Sequence, residues 1–133
     1  AEQIERVRQE SASLLKPVLL LTLGAATEWK GRAGFAQNFF AIMGCSTVES
    51  GEILTESDLK EALALLQRDQ ILCICSSNAQ YTMWTSSLEN HLETLSNYTI
   101  IAGDVDASKA DLKLHKGMDV YKAWTRIIEG MNQ

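Results

Sequence analysis

Apolar residues fall along this chain in two alternating rhythms, short unbroken runs and longer stretches at helical spacing. Residues 18–23 form the first unbroken run, set off by Pro17, and read as a central strand buried on both faces. Phe35, Ala36, Phe39, Phe40 and Met43 then recur at helical spacing, and Gly44 stands where a C-cap would. Residues 45–48 predict a short second strand. After a turn at Gly51, Thr55-Glu56-Ser57-Asp58 caps a helix carrying Leu59, Leu63 and Leu66 that ends near Asp69. Residues 71–75 are the third strand, and Ser76-Ser77-Asn78 supplies the cap of a helix with Trp84, Leu88, Leu92 and Leu95. Residues 98–102 predict a fourth strand, 112–115 a weaker fifth, and 120–131 a last helix through Val120, Ala123, Trp124, Ile127 and Ile128. Ahead of Pro17, residues 1–15 carry a thin apolar face of Ile4, Val7, Leu14 and Leu15. They predict a charged connector helix, dividing the chain into a connector at 1–16 and an α/β domain at 17–133.

Strands alternating with helices at this spacing predict a parallel sheet with helices on both faces. A flavodoxin-like, doubly wound, five-stranded order of 2-1-3-4-5 is the natural solution. In such sheets ligands sit at the carboxyl ends of the strands where the order reverses, which places residues 24–31 and 76–78 across one crevice. The stretch Gly24-Ala25-Ala26-Thr27-Glu28-Trp29-Lys30-Gly31 therefore predicts a functional loop. No repeat, low-complexity segment or Pro/Gly/Ser linker interrupts residues 17–133.

At 133 residues and 46% hydrophobic content, the chain is the size of one domain with a real core. A formal charge of -5, with no Lys/Arg stripe, argues against nucleic acid or an anionic membrane as the main partner. The apolar runs are too short to span a bilayer, and no secretory signal opens the chain. Ala1 in place of an initiating Met suggests a fragment or processed product. The cysteines are Cys45, Cys73 and Cys75; the last two share a strand face and make no Cys-x-x-Cys motif. Buried free thiols in a reducing cytoplasm are the expectation.

Several functional classes share this fold, so the strand ends must decide among them. A receiver domain needs acidic residues there to hold magnesium and accept phosphate; Thr22-Leu23-Gly24 and Cys75-Ser76-Ser77 exclude it. A flavodoxin needs hydroxyls around a phosphate, but the first loop offers only Thr27, beside a repelling Glu28. Ser76 and Ser77 lack the Gly-x-Ser-x-Gly frame of a nucleophile elbow and read as helix caps. Neither His91, at the edge of an apolar helix face, nor His115 has a second ligand at metal-binding spacing, so no metal site is expected. Trp29 either fills the ligand space of the crevice or faces solvent or a partner.

The layout of the first loop resembles the Asp-x-His-x-x-Gly loop of cobalamin-binding domains in the methylmalonyl-CoA mutase family, with Ala26, Glu28 and Gly31 at the three motif positions. Residues 17–131 further resemble the C-terminal cobalamin-binding-like domain of the small subunit of the heterodimeric mutase. The phrase Gly34-Phe35-Ala36-Gln37-Asn38-Phe39-Phe40 is the most distinctive segment; Ile74-Cys75-Ser76-Ser77 and Ile100-Ile101-Ala102-Gly103 are similar to its third and fourth strands and turns. True cobalamin binders carry Ser-x-Leu and Gly-Gly at those turns, where this chain has Ser76 with Asn78, and Ala102 with a single Gly103.

The resemblance implies a non-catalytic, structural domain with vestigial positions Ala26, Glu28, Gly31, Ser76, Asn78, Ala102 and Gly103. No catalytic residue, metal or cofactor is implied for the domain itself. Adenosylcobalamin and the isomerisation of succinyl-CoA and methylmalonyl-CoA belong to the large catalytic subunit, the expected partner in a heterodimer. The alternative is a cobalamin carrier without a protein axial ligand; an enzyme in its own right has only scattered Ser, His and Asp behind it. Thr27, Glu28, Trp29 or Lys30, with Asn78 and Asp104, are expected to fill the crevice, and Trp29 and Tyr98 to be candidate contact anchors.

Overall fold

A computed structural model describes residues 16–105 and 110–131. The connector predicted over residues 1–15 lies outside them. Five parallel strands, β1 (Val18–Thr22), β2 (Thr47–Glu49), β3 (Leu72–Cys75), β4 (Thr99–Ala102) and β5 (Leu112–Leu114), form one sheet of order β2-β1-β3-β4-β5. Four helices among the described residues connect and cover them: α1 (Ala26–Ile42), α2 (Glu56–Ala64), α3 (Asn78–Leu92) and α4 (Val120–Met131). This is the flavodoxin-like arrangement that the alternation of patterns predicts.

Alternation along the strands divides the core in two, because successive side chains leave opposite faces of a strand. Val18 and Leu20 of β1, Cys73 and Cys75 of β3, and Ile100 and Ala102 of β4 pack with Trp29, Phe40 and Trp124 from α1 and α4. Leu19 and Leu21, Leu72 and Ile74, and Ile101 pack with Leu59 of α2 and with Tyr81 and Leu88 of α3. Every residue of β1, β3 and β4 is buried, which is why these strands read as unbroken apolar runs rather than alternating ones. Trp124 is fully buried against Phe39 and Phe40, whose rings meet edge to face at 5.1 Å.

Two helix boundaries differ most from the sequence pattern; β2 is also shifted, to 47–49 from the expected 45–48, and α3 ends at Leu92, short of Leu95. Helix α1 begins at Ala26, so the stretch predicted as a loop over residues 24–31 shrinks to Gly24 and Ala25, and Thr27 to Gly31 belong to the helix. Its buried stripe of Trp29, Ala33, Ala36 and Phe40 is in register from the first turns, and that packing outweighs the roughly 1 kcal/mol helix penalty of each of Gly31 and Gly34. Helix α2 stops at Ala64 rather than near Asp69. Asp69 takes a left-handed φ of 66°, and buried Gln70 donates to Pro17 O at 2.7 Å and accepts from Gln67 N at 2.9 Å, fixing an irregular return to β3. The three cysteines are free and buried as expected; burial pushes the Cys45 thiol up to about 11.

Helix α2 starts on a complete capping box, in which Asp58 N–H donates to Thr55 Oγ1 and Thr55 N–H to Asp58 Oδ2, both at 3.1 Å. The neighbouring Glu56 accepts from Ser87 Oγ at 2.6 Å and meets His91 Nε2 at 2.7 Å, joining α2 to α3. The Leu54 amide, with Thr55, holds the Asp58 carboxyl below its ordinary 3.8, and Ser87, then His91, hold Glu56 below 4.5. The folded chain therefore binds fewer protons than the unfolded one in the acid range. This part of its stability is complete above the ordinary values and is lost as the pH falls through the lowered ones. The melting-temperature gap between the wild type and Asp58→Ala should accordingly narrow as the pH is lowered from neutrality through the acid range. A gap independent of pH would show that the Asp58 carboxylate does not support the cap.

Candidate functional site

The carboxyl ends of β1, β3 and β4 are closed by the chain's own polar groups. Buried Ser76, directly after β3, donates from Oγ to Leu23 O at 2.6 Å, tying the ends of β1 and β3 together. Its N–H donates to the Tyr81 hydroxyl at 2.9 Å, and that hydroxyl donates onward to Ala102 O at 2.6 Å, the last residue of β4. One phenol thus serves as both acceptor and donor between two strand ends, and burial raises its pKa above that of a free tyrosine. On the far side of β1, Thr22 donates from Oγ1 to Gly51 O at 2.6 Å and from its N–H to Ser50 Oγ at 3.1 Å.

Over these strand ends lie three longer side chains. Trp29 turns back beneath the first turn of α1, is 7% exposed, and donates from Nε1 to Gly24 O at 3.1 Å. Gln80, held by Trp84 Nε1 at 3.1 Å, covers Gly24, where a Cβ would lie 2.8 Å from Gln80 Cδ and the φ of +85° suits glycine. Arg32 reaches across from α1. Its Nη1 donates to Ser76 O at 2.9 Å and Asn78 Oδ1 at 2.7 Å, and its guanidinium carbon stands 5.4 Å from the Tyr81 ring centroid. Gly103, at φ +127°, leaves room for it, since a Cβ there would meet the guanidinium carbon at 2.8 Å.

A groove of about 860 Å³ remains beside this closure, between the first turns of α1, the turn after β3 and the ends of β4 and β5. Glu28, Gly31, Ser76, Asn78 and Gly103 all line it, so the sequence places five of its seven marked positions around one feature. The other two are structural. Ala26 packs against the α1-side core and its N–H is capped by Glu52 Oε2 at 2.8 Å, while Ala102 is buried and supplies the carbonyl that Tyr81 grips. The filling expected from Thr27, Glu28, Asn78 and Asp104 takes a different form: these residues line the groove, and Lys30 is exposed. Because α1 starts at Ala26, Lys30 turns outward and Trp29 turns into the core.

Ser77, not Ser76, is the N-cap of α3, accepting from Gln80 N–H at 3.3 Å. His91 sits half-buried at the edge of α3, and His115 bonds within its own turn, Nδ1 to Lys116 O at 3.0 Å. Among the described residues no three His, Cys, Asp or Glu side chains cluster to hold a metal ion. No described helix is long and apolar enough to cross a membrane. Sequence reasoning passes over Arg32, Tyr81 and Gln80, which carry the closure. A long polar side chain within the first two turns of a helix at a sheet's carboxyl edge, the third and fourth positions for Gln80 and Tyr81 and the seventh for Arg32, is the signal that points to them.

Removing the phenolic oxygen with Tyr81→Phe leaves the Ser76 N–H buried without its acceptor. The variant should lose about 1–3 kcal/mol of stability, read as a lower urea midpoint at an unchanged m-value. An unchanged midpoint would mean that the strand ends are held without this hydroxyl. Comparison with protein-family models and with curated proteins finds no match to this chain.

Proposed function

We propose that this chain is a non-catalytic, structural domain, the C-terminal cobalamin-binding-like domain of the small subunit of methylmalonyl-CoA mutase. Its work is to support the large subunit that isomerises succinyl-CoA and methylmalonyl-CoA. The observation that carries the reading is the closure of the switch point by Ser76, Tyr81, Gln80 and Trp29, at the place where open α/β sheets hold their ligands. A corrinoid bound base-off needs a neutral nitrogen donor from the first loop. Here Glu28 offers a carboxylate from inside a helical turn, and Ala26 offers no side-chain donor. The residues present do not fit the cofactor, and adenosylcobalamin is assigned to the partner subunit.

A domain freed from holding a corrinoid contributes through its surface. The three buried free thiols suit a reducing, cytoplasmic setting. Trp29 is too buried to act as a contact anchor, whereas Tyr98, half-buried against Gly130, keeps part of its ring accessible.

Co-expression of the full small subunit with the large subunit, followed by affinity purification of one through a tag on the other, tests the association. A stable complex is expected, and a large subunit that is soluble, fully active and unassociated without its partner would sink the proposal. Gel filtration of the chain after mixing with hydroxocobalamin should return protein without the visible spectrum of a corrinoid. Stoichiometric co-elution would instead favour a carrier domain.

A further inference from the structure

Arg32 is held more firmly than the closure of the strand ends requires. One nitrogen, Nη1, makes both of its hydrogen bonds, to Ser76 O and Asn78 Oδ1, while the guanidinium carbon stands 5.4 Å from the Tyr81 ring centroid and packs close to Gly103. The two remaining donor positions, Nε and Nη2, have no protein partner among the described residues. Neither is sealed from solvent, since no buried side-chain nitrogen or oxygen among the described residues lacks a hydrogen bond. They form the fork of a guanidinium, the edge that matches the two oxygens of a carboxylate, and the residue that carries them lines the groove. A cation fixed in orientation by four neighbours, with its bidentate edge free, is preorganised for an oxyanion.

The rest of the groove narrows the class of ligand. Its titratable and charged lining consists of Arg32, Lys116 and His115 against Glu28 and Asp104, with Lys113 3.8 Å from Asp104. With two of the three fixed cations, Arg32, Lys113 and Lys116, offset by Glu28 and Asp104, one net positive charge remains, which a single negative charge seated on Arg32 matches and a dianionic phosphate would exceed. Half-buried Phe35 gives the wall an apolar part, which a bare inorganic ion would leave uncovered. We propose that this groove binds a small organic monocarboxylate, its carboxylate on the Nε and Nη2 edge of Arg32 and its apolar body against Phe35. The site is independent of whether the domain joins a mutase.

Benzoate is the probe, with benzamide as its neutral isostere and inorganic phosphate as the competing anion, followed through the side-chain Nε–H resonance of Arg32 in the 15N-labelled chain. Benzoate should shift that resonance saturably, with benzamide and phosphate leaving it in place. Arg32→Lys, which keeps the charge and loses the fork, should weaken benzoate binding by about tenfold or more by calorimetry. An Arg32 resonance that does not respond to benzoate overturns the proposal, and so does an equal response to phosphate or benzamide. Undiminished benzoate binding by a folded Arg32→Lys chain also overturns it. Should that variant fail to fold, the wild-type titration decides alone, because it reads the guanidinium directly.

Discussion

A parallel sheet buried on both faces satisfies its backbone along the ladders and runs out of partners at the strand ends. An unpaired amide or carbonyl there costs as much as a lost hydrogen bond. In this protein that constraint falls on the carboxyl ends of β1, β3 and β4. Ser76 and Tyr81 meet it from one short turn: the serine hydroxyl takes the Leu23 carbonyl, and the phenol links the Ser76 amide to the Ala102 carbonyl. The bond to Tyr81 places the phenol beneath Arg32, and the Ser76 carbonyl receives the guanidinium. The position of the candidate groove thus follows from how the strand ends are satisfied.

The same logic explains why α1 begins where it does. Its first N–H groups need acceptors, and with Ala25 at the N-cap no side chain of the helix supplies one. Glu52, from the segment after β2, caps the Ala26 amide, and the Ala25 carbonyl takes the Glu28 amide. Trp29 then folds back to the Gly24 carbonyl, where the chain turns with a positive φ. Residues that the sequence pattern places in a loop are here the start of a 17-residue helix.

What could be read in the sequence was what depends on periodicity. The strands over 18–22 and 72–75 and the helix over 120–131 are legible because burial on both faces, or on one stripe, leaves a repeating apolar mark. The Thr55 cap was legible because its chemistry is local, and the ends of α1 and α2 were not. The first is fixed by Glu52, 26 residues away, and the second by the Gln70 bond to Pro17, 53 residues away. Five of the seven marked positions gather around one groove because the fold brings strand ends together, a consequence of topology alone. Arg32 left no mark, being one charged residue on a helix where charged residues ordinarily face water.

That blind spot has a physical cause. Sequence periodicity reports which side of an element is dry, but the reach of an arginine lets its charge act far from the face on which its Cα sits. At Arg32 the stem leaves α1 and the head arrives over β4, at a glycine whose lack of a Cβ makes the space. The pairing of Arg32 with Gly103 spans 71 positions of sequence and has no local signature in either residue. A chain that met its strand-end constraint with a short side chain in place of Arg32 would keep the sheet and lose the cation. The groove's charge therefore depends on this chain's having met the constraint with an arginine.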